Sequence, residues 1–185
     1  MIKLPLILVF IIFFVIFSKS TFAASMTLSN GNPAVISETD REYQVDINLS
    51  INTSDGTIYY LRGAFYQPGT NNYCGYTWNG SSWYNGPYTT NEGWKNLLAI
   101  TVSSDSAAVT LKGKLDVNDS GCKKSGNYNF KVQRFTQSGS GTFDTQNEQT
   151  ITVAVPTLPP SPTPNPTITP TSKPSPSAKP TSTPK

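Results

Sequence analysis

The chain has 185 residues, a formal charge of +3 from 14 Lys or Arg against 11 Asp or Glu, and no histidine. Setting aside Lys3 and Lys19 at one end and Lys173, Lys179 and Lys185 at the other leaves nine basic against eleven acidic residues, so nucleic-acid binding has no basic surface to act through. The missing histidine excludes Ser-His-Asp and Cys-His catalysis and His-containing zinc sites, and two cysteines are too few for a Cys₄ site.

Met1-Ile2-Lys3 precedes an apolar stretch from Leu4 to Phe17, broken only by Pro5, after which Ser18, Lys19 and Ser20 turn polar. This pattern predicts a secretory signal peptide over residues 1–23. Thr21-Phe22-Ala23 supplies small residues at the −3 and −1 positions, with Ala23-Ala24-Ser25 as a neighbouring cleavage choice. A membrane helix needs about 20 apolar residues, and Lys19 ends this run too soon for a stable span. The expected location is therefore secreted, extracellular or on the cell surface. In that oxidising setting Cys74 and Cys122 are expected to pair as one disulfide.

From residue 24 to 155 apolar and polar residues alternate between Gly, Asn, Ser and Asp clusters, which predicts short strands. In YQVDINLSI, Tyr43, Val45, Ile47, Leu49 and Ile51 share one face. Asp55-Gly56 marks a turn, and TIYYLRGAF carries Tyr59, Leu61 and Phe65 on its inner side. A third strand runs from Tyr73 to Trp78 and stops at Asn79-Gly80, a type I′ hairpin signal. NLLAITV follows, then a turn over Ser103–Ser106, then AVTLKGKLDV with Val109, Leu111, Leu115 and Val117 inward. YNFKVQRF places Tyr128, Phe130, Val132 and Arg134 on one side, and QTITVAV ends the series with Ile151, Val153 and Val155 before Pro156. Roughly seven strands in about 130 residues predict an all-β domain of two packed antiparallel sheets.

Ser125-Gly126-Asn127-Tyr128, opening an alternating strand, resembles the tyrosine corner of immunoglobulin and fibronectin type III folds. That resemblance implies an immunoglobulin-like β-sandwich of the kind found in secreted bacterial modules. The chain departs from antibody domains because Cys122 precedes Tyr128 and no Trp lies in TIYYLRGAF. A Cys74–Cys122 bond would tie a middle strand or its loop to the connection leading into the Tyr128 strand. From residue 156 to 185 the chain holds 11 prolines and 12 Ser or Thr, a composition that buries nothing and predicts a disordered stalk or linker. As polyproline II it would reach on the order of 90 Å at about 3.1 Å per residue.

All three tryptophans and seven of nine tyrosines fall between Tyr59 and Trp94. Tyr59 and Tyr73 suit the interior. Trp78, Trp83, Tyr84, Tyr88 and Trp94 sit among Asn, Gly and Ser, where exposed rings would stack on a glycan or a surface protein, with hairpin and loop packing as the alternative. Asp116-Val117-Asn118-Asp119-Ser120-Gly121 clusters oxygen ligands as calcium loops do, yet lacks the remaining EF-hand positions, so an Asx turn accounts for it. Asn48, Asn52, Asn79 and Asn118 lie in N-x-Ser/Thr sequons. No cofactor or metal is expected. Glu38, Glu42, Glu92 and Glu148 are the carboxylates on which a histidine-free glycoside hydrolase would have to rest. The expectation is a non-catalytic binding, adhesion or display module, with a carbohydrate-binding module as the alternative.

Overall fold

The computed structural model describes residues 23–37, 39–122 and 125–154. The signal-peptide reading over residues 1–23 falls almost entirely outside them, as do Glu38, Val155 and the stalk at 156–185. The described residues are all-β. Their strands are β1 (Ser25–Asn32), β2 (Val35–Ser37), β3 (Glu42–Ser50), β4 (Ile58–Tyr66), β5 (Tyr76–Trp78), β6 (Trp83–Tyr84), β7 (Leu98–Thr101), β8 (Ser106–Lys114), β9 (Gly126–Phe135), β10 (Gly141–Phe143) and β11 (Gln149–Ala154). A single 3₁₀ turn at Gly93–Asn96 is the one helical element among them.

One sheet runs β1-β3-β8-β5-β6 and the other β2-β11-β9-β4-β7, with β10 added beside β9. One of the two sheets is curled into a half-barrel. Alternation decides which side of each strand is buried. Tyr43, Val45, Ile47 and Leu49 of β3 point inward, as do Tyr128, Phe130 and Val132 of β9, and both sets belong to one shared core. Arg134 follows the same inward face and is 7 % exposed. Its Nε donates to Asp144 Oδ2 at 2.7 Å and its guanidinium lies 4.6 Å from the Tyr59 ring centre, so the buried charge is compensated.

Phe130 stands at the middle of this core. Its ring meets Phe65 at 4.9 Å and Tyr43 at 5.0 Å between centroids, both edge-on. Room for it comes from two glycines on opposite sheets. A Cβ at Gly63 on β4 would fall 2.5 Å from Phe130, and one at Gly113 on β8 would fall 2.8 Å away. Cys74 pairs with Phe65 in an isolated antiparallel bridge and is bonded to Cys122, 48 residues on, with the two Cα atoms 6.1 Å apart.

Four strands have no counterpart in the alternation read from the sequence: β1, β2, β6 and β10. In β1 only Met26 and Leu28 are buried, and the segment Ser29-Asn30-Gly31-Asn32 reads as loop. The others have two or three residues, too few to show a period, and partners hold them. After β1 the chain crosses to the other sheet through a cis Asn32–Pro33 bond, and β2 then pairs in parallel with β11. On that side the sheets are stitched together. Met26 donates to the Asp144 carbonyl and accepts from the Gln146 amide, while Leu28 donates to Asn147 Oδ1 and accepts from its Nδ2.

The turn chemistry is a second correction. Trp78 and Trp83 do pair across a hairpin, but within it only Gly80 takes a positive φ, of 103°, whereas type I′ needs two such residues. A two-residue turn of that kind lies instead at Ser104-Asp105, with φ of 52° and 59°, closed by reciprocal hydrogen bonds between Ser103 and Ser106. Asp105 tolerates this conformation, but Ser104 does not favour it. The neighbouring loop compensates, since Asp55 Oδ1 accepts from the Ser104 amide and Asp105 accepts from the amides of Ile51 and Thr53.

Three measurements check this account. Gly113→Ala should destabilise the domain by about 1–3 kcal/mol in urea unfolding, because the added methyl group forces the Phe130 ring from its slot. Reduction of the Cys74–Cys122 bond should lower the thermal midpoint by several degrees, since closing a loop of this length contributes at most about 4 kcal/mol. Titration of denatured, unreduced protein should find no free thiol.

Candidate binding surface

The β5–β6 hairpin carries two of the candidate residues. Thr77 is fully buried and faces inward, accepting from the Gly63 amide at 2.9 Å and donating back to the Gly63 carbonyl. Strand alternation therefore turns Tyr76 and Trp78 outward, and Trp83, directly opposite Trp78, shares that solvent face. The two indoles are half-buried, 5.4 Å apart and tilted by 60°. Asn79 Oδ1 accepts from the amides of Ser81 and Ser82, and its Nδ2 donates to the Asn96 carbonyl. The hairpin tip is thereby fixed to the 3₁₀ turn.

Tyr84, Tyr88 and Trp94 go elsewhere. Tyr84 is opposite Thr77 and so leaves the ladder on its inner side. Together with Tyr60 it packs around Trp94, Leu97 and Phe135, a second apolar cluster that Tyr88 also joins. Trp94 is 8 % exposed, and Gly139 lies so close that a Cβ there would fall 2.6 Å from its ring. Tyr88 stacks on Phe135 at 6.1 Å, with the Arg62 guanidinium 4.2 Å from the Tyr88 ring centre. Burial pushes the Tyr88 phenol above its ordinary range, with Arg62 partly offsetting the shift.

Where β1, β3 and β8 of the β1-β3-β8-β5-β6 sheet adjoin, a depression of about 230 Å³ is lined by Asn32, Pro33, Asp40, Glu42, Tyr43, Gln44 and Lys112. Burial raises the Tyr43 phenol to about 12, its ring lying in the core against Phe65 and Phe130. Asp46, further along β3, is held below the ordinary carboxylate range by hydrogen bonds from Thr110 and Asn30. The residues missed from the sequence are thus Tyr76, Gln44, Lys112 and Lys114. Only the pairing of β5 with β8 and of β8 with β3 brings them to the sheet face that carries the tryptophans.

Glu42 lines the depression, Glu92 pairs with Lys95, and Glu148 pairs with Lys131, so these carboxylates stand on three separate elements. Asp116 and Asp119 each accept from a backbone amide two residues on, at Asn118 and Gly121, which makes this segment a pair of Asx turns. No family model matches the chain, and no curated protein matches it either.

The division of the aromatic residues has a direct chemical readout. N-bromosuccinimide at low molar ratio should oxidise Trp78 and Trp83 in the native protein and spare Trp94 until unfolding, with peptide mass mapping assigning the modified rings.

Proposed function

We propose that this protein is an exported, non-catalytic binding module that offers the outer face of the β1-β3-β8-β5-β6 sheet to a carbohydrate from the end of a Pro/Thr/Ser-rich stalk. The observation that carries the reading is the cross-strand pair Trp78–Trp83, solvent-facing and on the same sheet as a polar depression walled in part by Lys112. Sugar rings have apolar faces that stack on aromatic rings and hydroxyl rims that need donors and acceptors. Trp78 and Trp83 supply the first, and Asn32, Asp40, Glu42 and Gln44 supply the second. Export rests on the leader at residues 1–23 and on the Cys74–Cys122 pair.

Adhesion or display through an immunoglobulin-like or fibronectin type III-like sandwich is the companion reading. The strand neighbours β1-β3-β8-β5 and β11-β9-β4-β7 support it, following the A-B-E-D and G-F-C-C′ orders of such folds, as does the parallel pairing of β2 with β11. One departure is that β5, in the D position, comes before β7 in the chain.

A glycan array probed with the wild-type chain and with Trp78→Ala/Trp83→Ala tests the proposal. Removing both rings should weaken binding roughly tenfold or more, about 1.4 kcal/mol, while the thermal midpoint moves by only a few degrees because neither indole belongs to the core. Retained affinity in the folded double variant would reject the stacking surface.

A further inference from the structure

The face that carries Trp78 and Trp83 also carries a column of two lysines. Leu111 and Gly113 of β8 point into the core, so Lys112 and Lys114 point out. Lys114 is paired in register with Tyr76 on one side and with Glu42 on the other. Lys112 is opposite Gln44, and one further step along the β5–β8 register brings it alongside Trp78. The Lys114 ammonium is 5.4 Å from the centre of the Trp83 ring, and Lys112 forms part of the depression wall. Cationic groups therefore stand between the stacking rings and the polar hollow.

Neither lysine is in a close ion pair. Among the described residues the ion pairs are Lys95–Glu92, Lys131–Glu148 and Arg134–Asp144, and no carboxylate comes within 4.0 Å of either Lys112 or Lys114. Glu42 is the cross-strand neighbour of Lys114 but does not close on it. Asp116, just beyond β8, is turned to Tyr76 and Asn85, while Asp40, Glu42 and Asp46 gather on the β3 side and engage the hollow or Thr110 and Asn30. An anionic ligand lying across the sheet would be repelled at that edge and drawn toward β8. There its charge meets two ammonium groups while its ring meets an indole.

We infer that the sheet face selects an acidic polysaccharide, with a sugar ring stacked on one indole of the Trp78–Trp83 pair, its carboxylate seated on Lys112 and Lys114, and the hydroxyls of the next residue in the depression. This inference rests on the carbohydrate reading above and adds the charge class of the sugar. The domain as a whole carries no excess of positive charge, so attraction is confined to this patch. Its salt dependence should therefore be that of one or two contacts, not of a polybasic surface.

The test uses the full exported chain and three uronate polysaccharides, namely polygalacturonate, alginate and hyaluronan, each against its carboxyl-reduced, neutral counterpart. Affinity electrophoresis and calorimetry should show at least one acidic chain bound roughly tenfold more tightly than its reduced form. Lys112→Gln/Lys114→Gln should bring the two forms to parity with the fold intact, since both side chains are at the surface. Trp78→Ala/Trp83→Ala should weaken both forms. If acidic and reduced chains bind the wild type equally, or only neutral array glycans bind, the charge inference fails and the carbohydrate reading stands. Equal binding of dextran sulfate in the wild type and the tryptophan variant would mean attraction by charge alone and would also overturn the inference. Folded protein that binds none of these polysaccharides and no array glycan removes the carbohydrate reading itself.

Discussion

Much of the molecule is arranged around the ring of Phe130, which occupies space that a side chain at Gly63 or Gly113 would deny it. The glycines belong to opposite sheets, so the ring sets how closely the sheets approach at their centre. Phe65 and Tyr43 close edge-on around it. Thr77 then links β5 to the backbone of Gly63 by two hydrogen bonds, and Cys74 extends the same link to Cys122. The short hairpin bearing Trp78 and Trp83 has only two residues in β6, yet it is anchored to the core at Gly63. A stacking surface needs such rigidity, because ordering mobile rings at the moment of binding would consume part of the gain.

The two sheets differ in how their outer faces are used. Between β4 and β7 the chain spends some thirty residues, and Tyr84, Tyr88 and Trp94 from that stretch lie over Tyr60 and Phe135 of the β4–β9 sheet. Lys131, on the same strand as Phe135, is surrounded by the rings of Tyr66, Tyr73 and Phe143. That face is largely self-covered by aromatic and cationic contacts. Among the described residues no such aromatic layer covers the opposite outer face, where Trp78, Trp83, Lys112 and Lys114 lie.

Long strands with one buried face were legible in the sequence. Tyr43 to Leu49, Tyr59 to Phe65 and Tyr128 to Arg134 show period two, and their inward residues are buried as that period demands. The short strands were not, because β2 and β10 exist through pairing with β11 and β9. The aromatic segment was half legible. Trp78, Trp83 and Trp94 all sit among Asn, Gly and Ser, and composition cannot separate them. Their fates diverge through Thr77, a polar residue turned inward by its bond to a distant glycine, and through the 3₁₀ turn that carries Trp94 into a cluster around Phe135. Both causes are long-range contacts.

The stitching between β1 and the segment Asp144–Asn147 bears on life in a crowd. A domain displayed at high density meets many copies of itself, and an open sheet border is where identical chains zip together into fibres. Here the outward amides and carbonyls of Met26 and Leu28 are already taken by Asp144, Gln146 and Asn147. Among the described residues the remaining borders, β2, β6, β7 and β10, have four residues or fewer. The molecule offers its copies few rungs on which to build.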